Sequence, residues 1–130
     1  MCNPNREYCY ILGGLRISDN KVSFQNLEVN LKTKSALVRD QMPEPRYAHA
    51  AIMVKENIYV TGGISEMMHP MGMRLVPMGS SRCFKYNLVT ASWTDLPPLP
   101  IGKLWSSLVC VENRFIFQIG GFDDFDYDIY

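Results

Sequence analysis

The sequence is short of the groups that most chemistry needs. It has two histidines, His49 and His69, and neither sits in a pattern that supplies a general base with an oriented partner. No Ser-His-Asp spacing signal is present. The four cysteines, Cys2, Cys9, Cys83 and Cys110, show no CxxC spacing, which removes the zinc-ribbon and redox-motif readings. Thirteen Lys and Arg balance thirteen Asp and Glu, so the broad positive field that drives non-specific nucleic-acid or anionic-membrane binding is missing. No apolar run approaches the roughly twenty residues that cross a bilayer as a helix. With no charged-then-apolar leader at the start, the cysteines are expected to be reduced and the protein cytoplasmic.

What is present is repetition. Gly13-Gly14, Gly62-Gly63 and Gly120-Gly121 each close a short apolar run, and Tyr10, Tyr59 and Phe117 stand three residues ahead of them. Runs this rich in β-branched and aromatic residues read as strands buried on both faces. The glycine pairs let the chain leave them through angles closed to residues with a Cβ. A repeat near fifty residues points to stacked supersecondary units.

Between the pairs the order of elements recurs. After the second pair come Cys83 to Tyr86, a polar turn, Trp93 to Leu96, the link Pro97-Pro98-Leu99-Pro100, and the run Trp105 to Val111. After the first come Val22 to Leu31, Thr33-Lys34-Ser35, Ala36 to Asp40, the link Met42-Pro43-Glu44-Pro45-Arg46, and the run Tyr47 to Val54. Short strands, frequent turns and no helical period predict an all-β chain.

The aromatic-x-x-Gly-Gly strand in three copies, Tyr86 followed seven residues later by Trp93, and the Pro-x-Pro-Arg link ending at Arg46 resemble the kelch repeat. The likeness runs from about Glu7 to Gly121. It departs from the pattern at Val29, Ala36 and Lys103, where the tyrosine, tryptophan and arginine would stand. The resemblance implies a kelch-type β-propeller fragment in which each unit is a four-stranded blade, strands a to d running from the axis outward. One complete blade, about 46–96 with an insertion at 64–80, would lie between partial blades at about 7–41 and 104–121, ahead of an acidic end at 122–130. Propellers close with roughly four to eight blades.

Function is expected on the rim where the b–c loops and the d–a links emerge. The resemblance places Gly14 to Lys21, Arg46 and the insertion there. The insertion carries Met67, Met68, His69, Met71, Met73 and Arg74, and methionine-rich surfaces adapt to varied apolar partners. These six residues and Arg46 are the candidate partner-binding set. Arg46 has two readings: its planar fork can clamp a partner carboxylate, or it can hold neighbouring carbonyls in place. Thioethers around one imidazole also suit Cu(I), although unpatterned methionines are ordinarily just apolar, and no metal is assigned. The aspartates at 123–128 lack the glycine and closing glutamate of an EF-hand and read as a solvated end.

The expected function is therefore a non-enzymatic protein-interaction module with an unidentified protein partner and no cofactor, nucleic acid or membrane. The alternatives are a fragment of a sugar-active propeller enzyme or a truncated product with no function of its own. The first blade lacks strand a and the last stops after strand b, so self-association through the open blade ends is expected. One route is donation of the C-terminal run from another copy as the missing strand a.

Overall fold

A computed structural model describes residues 7–65 and 79–122 of the chain. Among these residues every regular element is a strand. The central sheet holds β6 (Ala50–Val54), β7 (Asn57–Thr61), β8 (Cys83–Asn87) and β9 (Ser92–Leu96) in that order. All three of its pairings are antiparallel, and Tyr86 lies directly opposite Trp93. This is the expected whole blade, with β6 as strand a and β9 as strand d.

The N-terminal sheet pairs β1 (Tyr8–Leu12), β4 (Asn26–Asn30) and β5 (Ser35–Val38) as strands b, c and d. Val29 faces Ala36 where the central blade has Tyr86 facing Trp93. The C-terminal sheet is β10 (Ser107–Val111) with β11 (Phe115–Ile119), strands a and b.

Three expected strands are shorter than their apolar runs. Val22 does not join strand c: it closes a separate hairpin of β2 (Leu15–Arg16) and β3 (Lys21–Val22), anchored where Asp19 holds Arg16. Tyr47 and Trp105 precede their strands, because Ala48 (φ 55°) and Trp105 itself (φ 49°) take left-handed backbone angles that no strand can contain.

The core lies between the first two blades. Tyr10 from β1 and Met42 from the link pack against Ile58, Val60, Phe84 and Tyr86 on the facing side of the central blade. Trp93 closes the outer end edge-on to Phe84, at 5.3 Å between ring centroids. Two polar contacts stitch this seam: the Tyr86 hydroxyl donates to Asp40 Oδ2 at 2.8 Å and the Trp93 indole to the Asp40 carbonyl at 3.0 Å. An aromatic ring with a polar tip can thus fill a hydrophobic wedge and still satisfy its donor at the margin.

Candidate binding rim

The glycine pairs set the rim's frame. Gly14 donates its amide to the Arg46 carbonyl at 2.7 Å, and Gly63 repeats this bond to the Lys103 carbonyl at 2.7 Å. A Cβ on Gly13 or Gly62 would collide with those same two carbonyls, and both residues sit at positive φ. Gly13 and Gly62 therefore stand where one blade meets the link into the next, whereas Gly120 has open space at its Cβ position. In the second and third pairs the Cβ position of the second glycine faces its own blade: a Cβ on Gly63 would stand 2.6 Å from His49 Cβ, and one on Gly121 would stand 2.6 Å from the Leu104 carbonyl, while Gly14 has open space there.

Each link then turns into strand a through matched bridges. Tyr47 and Ile64 exchange backbone bonds of 3.0 and 2.8 Å, and Leu104 and Phe122 exchange bonds of 3.0 and 2.9 Å. The amide of Trp105 also donates to the Ala48 carbonyl at 2.9 Å, tying one lead-in turn to its neighbour.

Arg46 resolves in favour of its second reading. It is 0% exposed, with Nη1 donating to the Gly62 carbonyl and Nη2 to Glu44 at 3.0 Å, so it offers no free fork to a partner. Its guanidinium lies over the Phe84 ring at 5.2 Å. Burial lowers its pKa and Glu44 partly restores it. Burial also opposes the charged form of Glu44, but the Ser65 hydroxyl and the Arg46 charge outweigh it and hold the carboxyl below the usual range. Glu44 accepts a further bond from Arg82 at 3.2 Å, and Arg82 reaches Asp95 at 2.8 Å. The root of the insertion is thereby fastened to the d–a link. Met67, Met68, His69, Met71, Met73 and Arg74 lie outside the described residues.

His49, one residue before strand a, is pressed between the first two glycine pairs. Burial, with the Arg46 charge adding to it, pushes the imidazole down to about 4. Its Nδ1 is buried without a hydrogen-bond partner among the described residues. Held neutral by burial, the ring packs against the backbone at Gly13 and Gly63.

Three large apolar side chains stand exposed on the rim: one lies within the Gly14 to Lys21 segment expected there, and the other two, Trp105 and Phe122, were not assigned to it from the sequence. Ile17, at the tip of the β2–β3 hairpin, is 86% exposed, and Trp105 and Phe122 are 57% and 53% exposed. The two aromatic rings meet edge to face with centroids 6.1 Å apart. The available signal was positional, since Trp105 occupies the slot of Ala48 and Phe122 that of Ile64.

Comparison with known proteins agrees with this architecture. A family profile described as the Kelch motif matches residues 45–100. Alpha-scruin of Limulus polyphemus is 32% identical over 83 residues, which is 64% of this chain and 9% of that protein. Kelch-like protein 38 of Homo sapiens is 29% identical over 116 residues, or 88% of this chain and 18% of that protein. Kelch-like protein terF of Aspergillus terreus is 30% identical over 82 residues, covering 63% of this chain and 17% of that protein. The chain thus spans less than a fifth of the length of these relatives. The solved structure of YjhT superposes on 97% of the chain and 34% of its own, with a TM-score of 0.69 at 21% identity. On its repeats and its blade topology the chain has the fold of a kelch-type β-propeller fragment, and the Kelch motif is matched over residues 45–100.

Proposed function

We propose that the chain is an interaction module that binds a protein partner through the rim carrying its glycine pairs. The observation that supports this reading is the placement of Ile17, Trp105 and Phe122, large apolar side chains left exposed just past a glycine pair or at the matching lead-in turn. Tryptophan is enriched at interface hot spots because a rigid ring supplies much contact area at little entropic cost. Here the ring is held by a short backbone bridge and an edge-to-face neighbour, so it is pre-organised for contact. Arg46 and Glu44 act behind this surface by fixing the link and the root of the insertion.

The test is affinity capture with the immobilised chain, quantified for wild type, Trp105→Ala and Val89→Ala. Val89 is as exposed as Ile17 but sits at the c–d turn on the opposite rim. A partner held by wild type and by Val89→Ala, and weakened roughly thirtyfold by Trp105→Ala, agrees with a hot spot of about 2 kcal/mol. If every captured protein is held equally by the two variants, the rim reading fails.

A further inference from the structure

Each blade has an outer edge that blade stacking does not cover. In the central blade, which has a blade on either side, β9 is still the last strand of its sheet. The corresponding edge of the first blade is β5, and the two edges differ in kind. Counting from the matched pairs Val29–Ala36 and Tyr86–Trp93, Asp95 of β9 stands where β5 has Val38. Asp95 is bridged to Arg82, and Pro97 and Pro98 follow at once, so the central edge carries a charge and then residues that cannot donate to a ladder. Charge and proline are the usual devices that keep an edge strand from pairing. β5 has neither, and its residues Ser35, Ala36, Leu37 and Val38 are all exposed.

The backbone of β5 is set for a further strand. Arg39 donates its amide to the Asn26 carbonyl at 2.8 Å, so by the alternation of an antiparallel ladder Ser35 and Leu37 also bond to β4, and the amides and carbonyls of Ala36 and Val38 point away from it. A strand laid along this edge would make a reciprocal pair of backbone bonds at each of those two residues. Leu37 would then meet its new neighbour across a non-bonded pair, the geometry in which side chains come closer. Beside Leu37, on the same side of the sheet as Glu28 and Tyr10, lies a cavity of about 290 Å³ that Tyr8, Glu28 and Asn30 also line. Charge is uneven along the edge. Lys32 and Lys34 are exposed in the turn that leads into β5, with Glu7 3.3 Å from Lys32, and Val29 to Arg39 contains no Asp or Glu. An antiparallel newcomer would run its C-terminal end past these two lysines.

We propose that β5 is a docking edge for an extended segment of a partner protein, added antiparallel outside strand d, with an apolar residue opposite Leu37 and acidic residues following toward the segment's C-terminal end. Main-chain bonds supply the affinity of such strand addition, and the side-chain site beside Leu37 and the lysines supply its selectivity. This surface is separate from the rim of the glycine pairs and does not depend on it.

The experiment is fluorescence anisotropy with two labelled synthetic peptides that alternate valine with threonine, one ending in a run of glutamates and the other beginning with it. Both are titrated with wild type, Ala36→Pro, Lys34→Glu and Trp105→Ala. Proline at position 36 removes an outward donor and no bond to β4, so the sheet is expected to persist, as melting curves would verify. If that variant does not fold, wild type is titrated instead with the first peptide N-methylated at alternate amides, in both phases, and one phase is expected to abolish binding. The first peptide is expected to bind wild type and Trp105→Ala alike, Lys34→Glu severalfold more weakly and Ala36→Pro at least tenfold more weakly. It should also slow hydrogen exchange at the amides of Ala36 and Val38. No binding of the first peptide to wild type, equal binding of the two peptides, or binding that neither Ala36→Pro nor methylation weakens overturns the proposal. Binding lost in Trp105→Ala and kept in Ala36→Pro overturns it too, and moves the peptide to the rim.

Discussion

The amide of Gly63 donates to the carbonyl of Lys103 at 2.7 Å, and the amide of Gly14 makes the same bond to Arg46. Because the acceptor is main chain, the change from arginine to lysine between the two links leaves the joint unaltered. At the first link the Arg46 side chain takes a separate role, donating to the Gly62 carbonyl and to Glu44.

This joint predicts an asymmetric glycine series. Gly13→Ala and Gly62→Ala combine a left-handed backbone with a collision against a carbonyl, and should destabilise by about 3 kcal/mol or more. Gly120→Ala meets open space and should cost only the backbone term, about 1 kcal/mol. Urea denaturation followed by tryptophan fluorescence measures all three, and equal losses would contradict the joint.

Arg46→Met should be more damaging than its isosteric size suggests. It leaves the Gly62 carbonyl and part of Glu44 unpaired in a buried site, an expected loss of about 3 kcal/mol. Arg46→Met paired with Glu44→Gln should recover part of that loss, which a double-mutant cycle in urea would read as a coupling energy.

The seam between the first two blades makes a separate prediction. Tyr86→Phe removes only the bond to Asp40 and should cost about 1–2 kcal/mol, whereas Trp93→Ala also empties the outer wedge and should cost about 3–5 kcal/mol. Thermal unfolding that ranks the two in the opposite order would mean the polar stitch, not the packing, holds the seam.

His49 sets a pH dependence. Its native pKa of about 4 lies below the ordinary 6.5, so between these values the unfolded chain binds a proton that the native state refuses. Stability is then fully present above pH 6.5 and falls as the pH drops toward 4, by up to about 1.4 kcal/mol per unit. Glu44, whose pKa is lowered, contributes its own loss only below the ordinary carboxylate value, so the upper part of the window belongs to His49. Denaturation curves at pH 7 and pH 5 should differ for wild type and converge for His49→Gln.

Much of the fold is legible in the sequence because each glycine pair marks the end of a strand b, and counting back from it fixes strand a and the facing residues. The Tyr86–Trp93 pair fixes c against d in the same way. The rim is less legible for specific reasons. Trp105 continues an unbroken apolar run into β10, and nothing in its identity announces a left-handed angle. Val22 likewise borders strand c in sequence but is captured by the Arg16–Asp19 turn. Arg46 carries two sound readings until burial decides, and burial depends on Gly62 and Phe84, which the chain brings in from other strands.

The bond from Trp105 to Ala48 has a consequence for recognition. It couples lead-in turns one to the next, so contacts borne on neighbouring blades come at a set pitch around the axis and cannot slide independently. A partner that touches two blades at once is thereby selected by the spacing of its own anchors as much as by their chemistry. A peptide with the right residues at the wrong interval would reach only one blade, so shortening or lengthening it by a residue should cost more than replacing either anchor conservatively.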